Sequence, residues 1–283
     1  MNRAAVFTVI YAGVEPWLSQ FISSVAGQTD GCFDLVMVND GVGSLEGLLS
    51  GIDGSRLSML SAFGSPAENR QHGINYLLSE GYEQIIFADS DDVMSSDRVE
   101  SSLNALHDVD IVVNDLTLID ESSDVLMRRV LSQRLRPGSR IEYEDLRYKN
   151  MMGLSNTAVR TRGISKLKLP EDLVAVDWYL FSCWLYKGLS ARFIGESETM
   201  YRIHANNTAG FPSSAGGDVT KCLEVKCRHY RAMALIDPIA KVHYENCLRA
   251  LSDIAERDAP KNYRKRSEIP LLWWEECMPE EAL

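Results

Sequence analysis

Short, uninterrupted apolar runs alternate with helix-spaced segments over most of the first two hundred residues. Val6 to Tyr11 (VFTVIY) is β-branched and aromatic throughout, which predicts a strand buried on both faces. From Trp17 to Gly27, the apolar positions Trp17, Leu18, Phe21, Ile22 and Val25 recur at helical spacing. A second run, Phe33 to Val38 (FDLVMV), ends in Asn39-Asp40-Gly41. A weak helix and a short strand near Leu57 to Leu60 follow. Next comes a helix over Ala67 to Leu78, carrying Asn69, Arg70 and Gly73. Gln84 to Ala88 (QIIFA) is the third strong strand, and it runs directly into Asp89-Ser90-Asp91-Asp92. Strands that are apolar throughout and alternate with helices predict the α/β class, a mostly parallel sheet with helices on both faces.

Further along, Ile111-Val112-Val113 predicts a strand, Val174 to Leu185 an aromatic-rich helix, and Ala191–Ile194 and Met200–Ile203 two short strands. Phe211 to Asp218 (FPSSAGGD) has the composition of a linker. Beyond it the spacing is helical: Val219, Leu223, Tyr230 and Ala234 share one side of a first helix. Ile239, Val242, Cys247, Leu251 and Ile254 share one side of a second. This divides the chain into an α/β domain over residues 1–211 and a helical C-terminal extension over 212–283.

Charge narrows the choice of function. The 283 residues carry a formal net charge of -11, which repels phosphate backbones and argues against nucleic-acid binding. An anionic substrate would need a local correction, from a bound cation or a few placed arginines. The six cysteines, Cys32, Cys183, Cys222, Cys227, Cys247 and Cys277, form no Cys-x-x-Cys pair, and their spacing is that of free thiols in a reducing compartment. No leader is expected in Ala4 to Ala12, and no stretch reaches the roughly 20 apolar residues that span a bilayer. A cytoplasmic protein is the expectation.

The acidic cluster carries the candidate chemistry. In open parallel sheets, ligands sit beyond the carboxyl ends of the strands, and here two of the three strong strands end in acids: Asp40 after one, and Asp89, Asp91 and Asp92 after another. Neighbouring carboxylates repel one another unless they face water or a cation, and Mg²⁺ or Mn²⁺ takes oxygen ligands from one or two carboxylates plus substrate phosphates. The plainer reading is a turn, with Asp92 or Ser95 capping the next helix.

Four ordered segments resemble the family 2 glycosyltransferases of the GT-A fold, over roughly residues 5 to 208. They are the first strand and helix through Gln28-Thr29 with FDLVMVNDG, then Asn69-Arg70-Gln71-His72-Gly73-Ile74, then IIFADSDD, and finally LPEDLVAVDWYLFSCWL with YRIHANNT. The first strand departs from the family's usual Pro-x-Tyr-Asn ending, reading Val9-Ile10-Tyr11-Ala12-Gly13.

The resemblance implies a GT-A-type, Rossmann-like sheet and an inverting, metal-dependent transfer of sugar. The donor would be a nucleotide-diphosphate sugar, a UDP-sugar by preference. The acceptor would be a carbohydrate or lipid-linked hydroxyl, in surface polysaccharide or glycoconjugate synthesis. Thr8, Tyr11 and Asp40 would lie near base and ribose, Arg70 near base or phosphates, and Asp89 on the ribose or the metal's water shell. Asp91 would ligate Mn²⁺ or Mg²⁺, with His204 completing the site, and Asp92 would be an outer acid or a cap. Arg202 would pair with phosphate oxygens. Asp177 would be the general base, with Glu171 and Asp172 behind it.

Two other readings fit the cluster: a nucleotide-sugar-binding module without activity, and a haloacid-dehalogenase-type phosphatase with Asp89 as nucleophile. Finally, Ile269 to Trp274 (IPLLWW) follows Lys261, Arg264, Lys265 and Arg266. Such a pattern suits either peripheral contact with lipid or protein, or Trp273 and Trp274 packed back on the domain.

Overall fold

The computed structural model describes residues 3–205, 207, 219–257 and 272–275. The expected linker at 211–218, the boundary at 211/212 and the basic run before Ile269 lie outside these residues. By packing, the chain divides into two compact units, neither of them contiguous in sequence. One gathers the chain up to Ile141 with Gly153–Leu169 and Gly188–Ile203. The other gathers Glu142–Met152, Pro170–Lys187 and the described residues from His204 onward.

The first unit is a ten-stranded sheet with helices α1 (Glu15–Ala26), α2 (Pro66–Ser79) and α3 (Arg98–Ala105). The strands are β1 (Ala4–Tyr11), β2 (Phe33–Asp40), β3 (Leu57–Ser61), β4 (Gln84–Phe87), β5 (Val93–Met94), β6 (Ile111–Ile119), β7 (Val125–Met127), β8 (Arg140–Ile141), β9 (Thr157–Arg160) and β10 (Ala191–Arg202). Their order is β3-β2-β1-β4-β9-β6-β10-β5, with β7 on β6 and β8 on β10. β3, β2, β1 and β4 pair in parallel, as do β6 and β10, while β9 runs antiparallel to both of its neighbours. The expected α/β class and mostly parallel sheet are therefore present. Val6, Ile10, Leu35, Met37 and Ile86 are buried with α1's Leu18, Phe21, Ile22 and Val25, and the alternate positions Phe7, Val36, Val38, Ile85 and Phe87 are buried on the opposite face, which explains why these runs carry no polar alternation.

Two strands are longer than their apolar runs predict. The expected pieces Ala191–Ile194 and Met200–Ile203 belong to one strand, whose polar middle, Gly195-Glu196-Ser197-Glu198, forms an irregularity in the register against β6. β6 continues past Val113 through Asn114, Asp115 and Thr117, all buried. These polar groups are affordable because they are bonded. Asp115 accepts from the backbone N–H of Leu131 (2.9 Å) and the hydroxyl of Ser132 (2.5 Å).

The second unit is helical: α4 (Val176–Tyr186), α5 (Val219–Met233) and α6 (Pro238–Arg257). Trp178 is fully buried, stacked on His229 at 3.8 Å between ring centroids, and its indole N–H donates to the Leu146 carbonyl (2.7 Å). Burial pulls the His229 imidazole down to about 3, with Lys226 adding to the effect, so it packs as a neutral ring. Trp273 and Trp274 are buried as well, and the Trp273 carbonyl accepts from the Asn150 N–H (2.9 Å). Of the two readings of the IPLLWW segment, packing back is the one the indoles follow.

Candidate active site

Three strand ends build the site. In register, Tyr11 at the end of β1 stands beside Asp40 at the end of β2, and Phe7 of β1 pairs with Phe87 of β4, three residues before Ser90. After β4 the chain turns sharply, the Asp92 N–H closing on the Asp89 carbonyl (3.2 Å). Ser90 locks this turn to β1 through a hydroxyl bond to the Val9 carbonyl (2.9 Å). A turn is thus present, as the plainer reading of the sequence has it. Asp92 does not cap a helix, however: its Oδ1 accepts from the Arg202 N–H (2.7 Å), and α3 begins only at Arg98.

The three carboxylates have different environments. Asp91 receives the Tyr11 hydroxyl (3.0 Å). Asp89 receives the Ser155 hydroxyl (2.7 Å) and faces the Arg70 guanidinium at 3.8 Å. Asp92 is almost wholly buried, and its Oδ2 has no hydrogen-bond partner among the described residues. Burial first, then the charges of Asp91 and Asp89, holds the Asp92 carboxyl well above the usual carboxylate range. Asp89 is raised too, by burial, against the pull of Arg70 and with a further push from Asp91. About a third of its side chain remains open to water, which limits the rise. Burial and the same acids push the Tyr11 phenol up, so it stays protonated and donates.

Arg98 sits beneath this cluster, fully buried. It donates to the Asn114 side chain (2.7 Å) and the Phe87 carbonyl (2.7 Å). Burial lowers its guanidinium to about 9, opposed by Asp92 and Asp89, so it remains charged at neutral pH as a fixed counter-charge. The motif pair Gln28-Thr29 braces the segment behind the cluster. The Gln28 amide donates to the Ser95 carbonyl (2.8 Å) and accepts from the Val99 N–H (2.9 Å), and the Thr29 N–H donates to Ser96 (2.8 Å).

Asp40 is held by Asn69, whose amide donates to Oδ2 (3.0 Å) and whose Oδ1 accepts from the Phe63 N–H (3.1 Å). α2 presents Asn69 and Arg70 because Ser65 and Glu68 close a capping box around its first turn, with Pro66 just inside. Gly73 lets this helix lie on the sheet. A Cβ there would stand 2.1 Å from the Phe7 ring. Gly41, with a φ of +90°, turns the chain away immediately after Asp40.

The structure thus brings Tyr11, Asp89 and Asp91 together, with Arg70 against Asp89 and Asp40 beside Tyr11 in the sheet. Thr8 lies deeper, 1% exposed, its hydroxyl without a partner among the described residues. Arg202 is placed otherwise than expected. Its guanidinium is buried and donates to the carbonyls of Asp91 (2.8 Å) and Asp120 (2.9 Å), to the Ser123 hydroxyl (3.0 Å) and to Gln20 (2.6 Å). A fork so engaged is built into the loops around the acids rather than offered to phosphate. Asp177 and His204 belong to the second unit. Asp177 lies in the first turn of α4, accepting from Asn150 (2.9 Å) and from the Trp178 N–H (2.8 Å). His204 is buried, and its N–H donates to the Asn207 side chain (2.6 Å).

Ser155 and Arg98, which lie against the acids, were not among the residues expected at the site. The one signal for the first of them is Ser155-Asn156-Thr157, a polar triplet inside an otherwise apolar buried stretch.

The sequence profile of glycosyl transferase family 2 matches residues 5–166, more than half of the chain. The chain belongs to this family. The family 2 assignment makes it a glycosyltransferase and sets aside the phosphatase reading of Asp89. Comparison with curated protein sequences returns no significant match. Among solved structures, the chain is similar to S. aureus TarS 1–349 in complex with UDP-GlcNAc, with 15% identity and a TM-score of 0.61 over 91% of this chain and 76% of that one. The same fragment in complex with UDP gives 13% identity and 0.61, over 90% and 75%. A longer TarS chain gives 14% and 0.58, and this chain covers 45% of it. At such identities the likeness is one of fold, the GT-A arrangement of sheet and helices. Among the described residues, no helix is long and apolar enough to cross a membrane.

Proposed function

We infer that this family 2 enzyme transfers a sugar, with inversion, from a nucleotide-diphosphate donor to a hydroxyl acceptor. A UDP-sugar is the preferred donor, and a carbohydrate or lipid-linked acceptor the class assigned, as in surface polysaccharide or glycoconjugate synthesis. The observation that carries this reading is the acid cluster itself: three carboxylates at one strand end, beside Tyr11 and Arg70, in a chain matched by the family profile. The UDP and UDP-GlcNAc held by the TarS fragment support the choice of base.

The donor set suits a hard divalent cation. It offers carboxylate oxygens, and one of them, Asp92 Oδ2, is buried without a partner among the described residues. Among the described residues no group of three or more His, Cys, Asp or Glu is placed to hold a metal ion by itself, so diphosphate oxygens and water would supply ligands beyond those of the protein. Asp91 is assigned to hold Mn²⁺ or Mg²⁺, with His204 as a further ligand. A bound divalent ion supplies charge that stabilises the leaving diphosphate.

Asp40 accepts from the base, Tyr11 and Asp89 border the ribose side, and Arg70 faces base or phosphates. Thr8 is assigned, with Tyr11, to the base and ribose side. We assign Arg202 to positioning Asp91 and Asp92, since its guanidinium donates to the Asp91 carbonyl and its backbone N–H to the Asp92 carboxylate. In the transfer, the acceptor oxygen forms a bond to the anomeric carbon as the bond from that carbon to the diphosphate oxygen breaks. The electron pair leaves with the nucleotide diphosphate, and the hydroxyl proton passes to the Asp177 carboxylate.

A thermal-shift screen of UDP-, GDP- and dTDP-sugars with Mn²⁺ tests the donor, since a ligand that binds the folded state raises the melting temperature by mass action. A UDP-sugar should give the largest shift, and Asp177→Asn should retain that shift while losing turnover. A larger shift with a GDP- or dTDP-sugar overturns the preference for UDP. Turnover retained in Asp177→Asn overturns the base.

A further inference from the structure

The second unit holds a buried amide that no step above uses. Asn150 is 1% exposed, and its side-chain Oδ1, its Nδ2 and its backbone N–H each make a hydrogen bond. Its Oδ1 accepts from the Met152 N–H (3.0 Å), which fixes the amide orientation and leaves Nδ2 as the donor to Asp177 Oδ2 (2.9 Å). Its backbone N–H donates to the Trp273 carbonyl (2.9 Å), as half of an isolated antiparallel bridge. Trp273 and Trp274 are buried on either side of that carbonyl, and the Lys149–Glu275 ion pair flanks the same junction.

On the other side of the carboxylate, Asp177 Oδ1 accepts from the Trp178 N–H (2.8 Å), and Trp178 is itself pinned by His229 and Leu146. Each Asp177 oxygen therefore receives a hydrogen bond from a group that cannot turn. A half-buried carboxylate at a helix N-terminus needs no such arrangement for stability, since water and the helix ends already favour it. Fixing the plane of the carboxylate is what the arrangement does accomplish.

We propose that Asn150 is a positioning residue for the general base, and that the C-terminal Leu272–Glu275 segment, docked on Asn150, serves as its brace. The proposal rests on Asp177 being the base. It makes the C-terminal segment part of the catalytic apparatus without contact with substrate. A misplacement of about 1 Å in a reacting group can cost on the order of 100-fold in rate, so loosening this brace should be felt in turnover and not in donor binding.

The test measures UDP release from UDP-GlcNAc, or from whichever UDP-sugar turns over fastest, with Mn²⁺ and water as acceptor, alongside UDP affinity by calorimetry. Asn150→Asp keeps the shape and the acceptor for Met152 but replaces the donor with a second carboxylate. It should lower kcat roughly 10- to 100-fold with donor KM and UDP affinity within about twofold of the parent. The acid limb of its kcat profile should move to higher pH, because a neighbouring negative charge raises the pKa of Asp177.

Unchanged kcat and an unchanged pH limb in Asn150→Asp, where Asp177→Asn is inactive, overturn the positioning role alone. If Asp177→Asn turns over normally, the base assignment falls and the positioning role with it. Should Asn150→Asp fail to fold, Trp273→Leu carries the test, since it loosens the bridge and leaves both members of the pair in place. Reduced kcat at unchanged UDP affinity supports the brace, and unchanged kcat overturns it.

Discussion

Asp92 shows how a single site residue can work against the stability of the fold that holds it. Its carboxyl is buried beside Asp91 and Asp89, and its pKa lies above the ordinary value, so the ionised form is disfavoured in the folded protein. The resulting loss of stability is fully present above the folded-state pKa. It is relieved as pH falls through that value toward the unfolded one. Asp92→Asn keeps an acceptor for the Arg202 N–H and removes the charge. In metal-free protein near neutral pH it should therefore raise the melting temperature, by roughly 2–4 °C for each kcal/mol relieved. The advantage over the parent should shrink as pH is lowered, which calorimetric melts across the acidic range would show. The acids themselves were legible in the sequence, because carboxylates at the end of an apolar run are conspicuous. Their partners were not. Ser155 reaches Asp89 across 66 positions, and Arg98 is fixed under the cluster by the Phe87 carbonyl and the Asn114 side chain, which no local pattern pairs with it. Arg202 looked like a free cation on a motif loop, and only the fold shows the carbonyls that claim it.

At the scale of the element, apolar continuity located the strands that deliver the site, β1, β2 and β4, while the capping box that starts α2 was seen only in the structure. Continuity failed where buried strands carry polar groups satisfied by distant partners. β6 runs on through Asn114 and Asp115, and β10 runs through its own irregularity. A periodicity argument ends a strand at such residues, because burying them is costly until the partner is known. Gly73 belongs to this scale, since it sets how closely α2, with Asn69 and Arg70, approaches the sheet. Gly73→Ala gains helix propensity but drives a methyl into the Phe7 ring and against Val38. It should destabilise by about 1–3 kcal/mol, with weakened UDP binding as α2 lifts. An unchanged melting temperature would show that α2 does not depend on the close approach.

Across the whole molecule, a net charge of -11 and a cluster of carboxylates would oppose any diphosphate ligand. Arg70 and the buried Arg98 offset that only in part, and the proposed divalent ion would supply the remainder. That charge balance is the reason the proposed site is assigned a metal at Asp91. The α/β class and the family were readable from four ordered segments. The division into units was not, because Glu142–Met152 and Pro170–Lys187 join the C-terminal helices through contacts such as the Tyr230 hydroxyl on the Arg147 carbonyl (2.8 Å), which no local pattern announces. The central claim, that the cluster after β4 binds a nucleotide diphosphate through a metal held by Asp91, is tested most directly by calorimetric titration of UDP with and without Mn²⁺. The parent should bind UDP at least about tenfold more tightly with Mn²⁺, a difference of roughly 1.4 kcal/mol, and Asp91→Ala should lose that gain while remaining folded. An Asp91→Ala protein that keeps the full Mn²⁺ dependence of the parent would contradict the account.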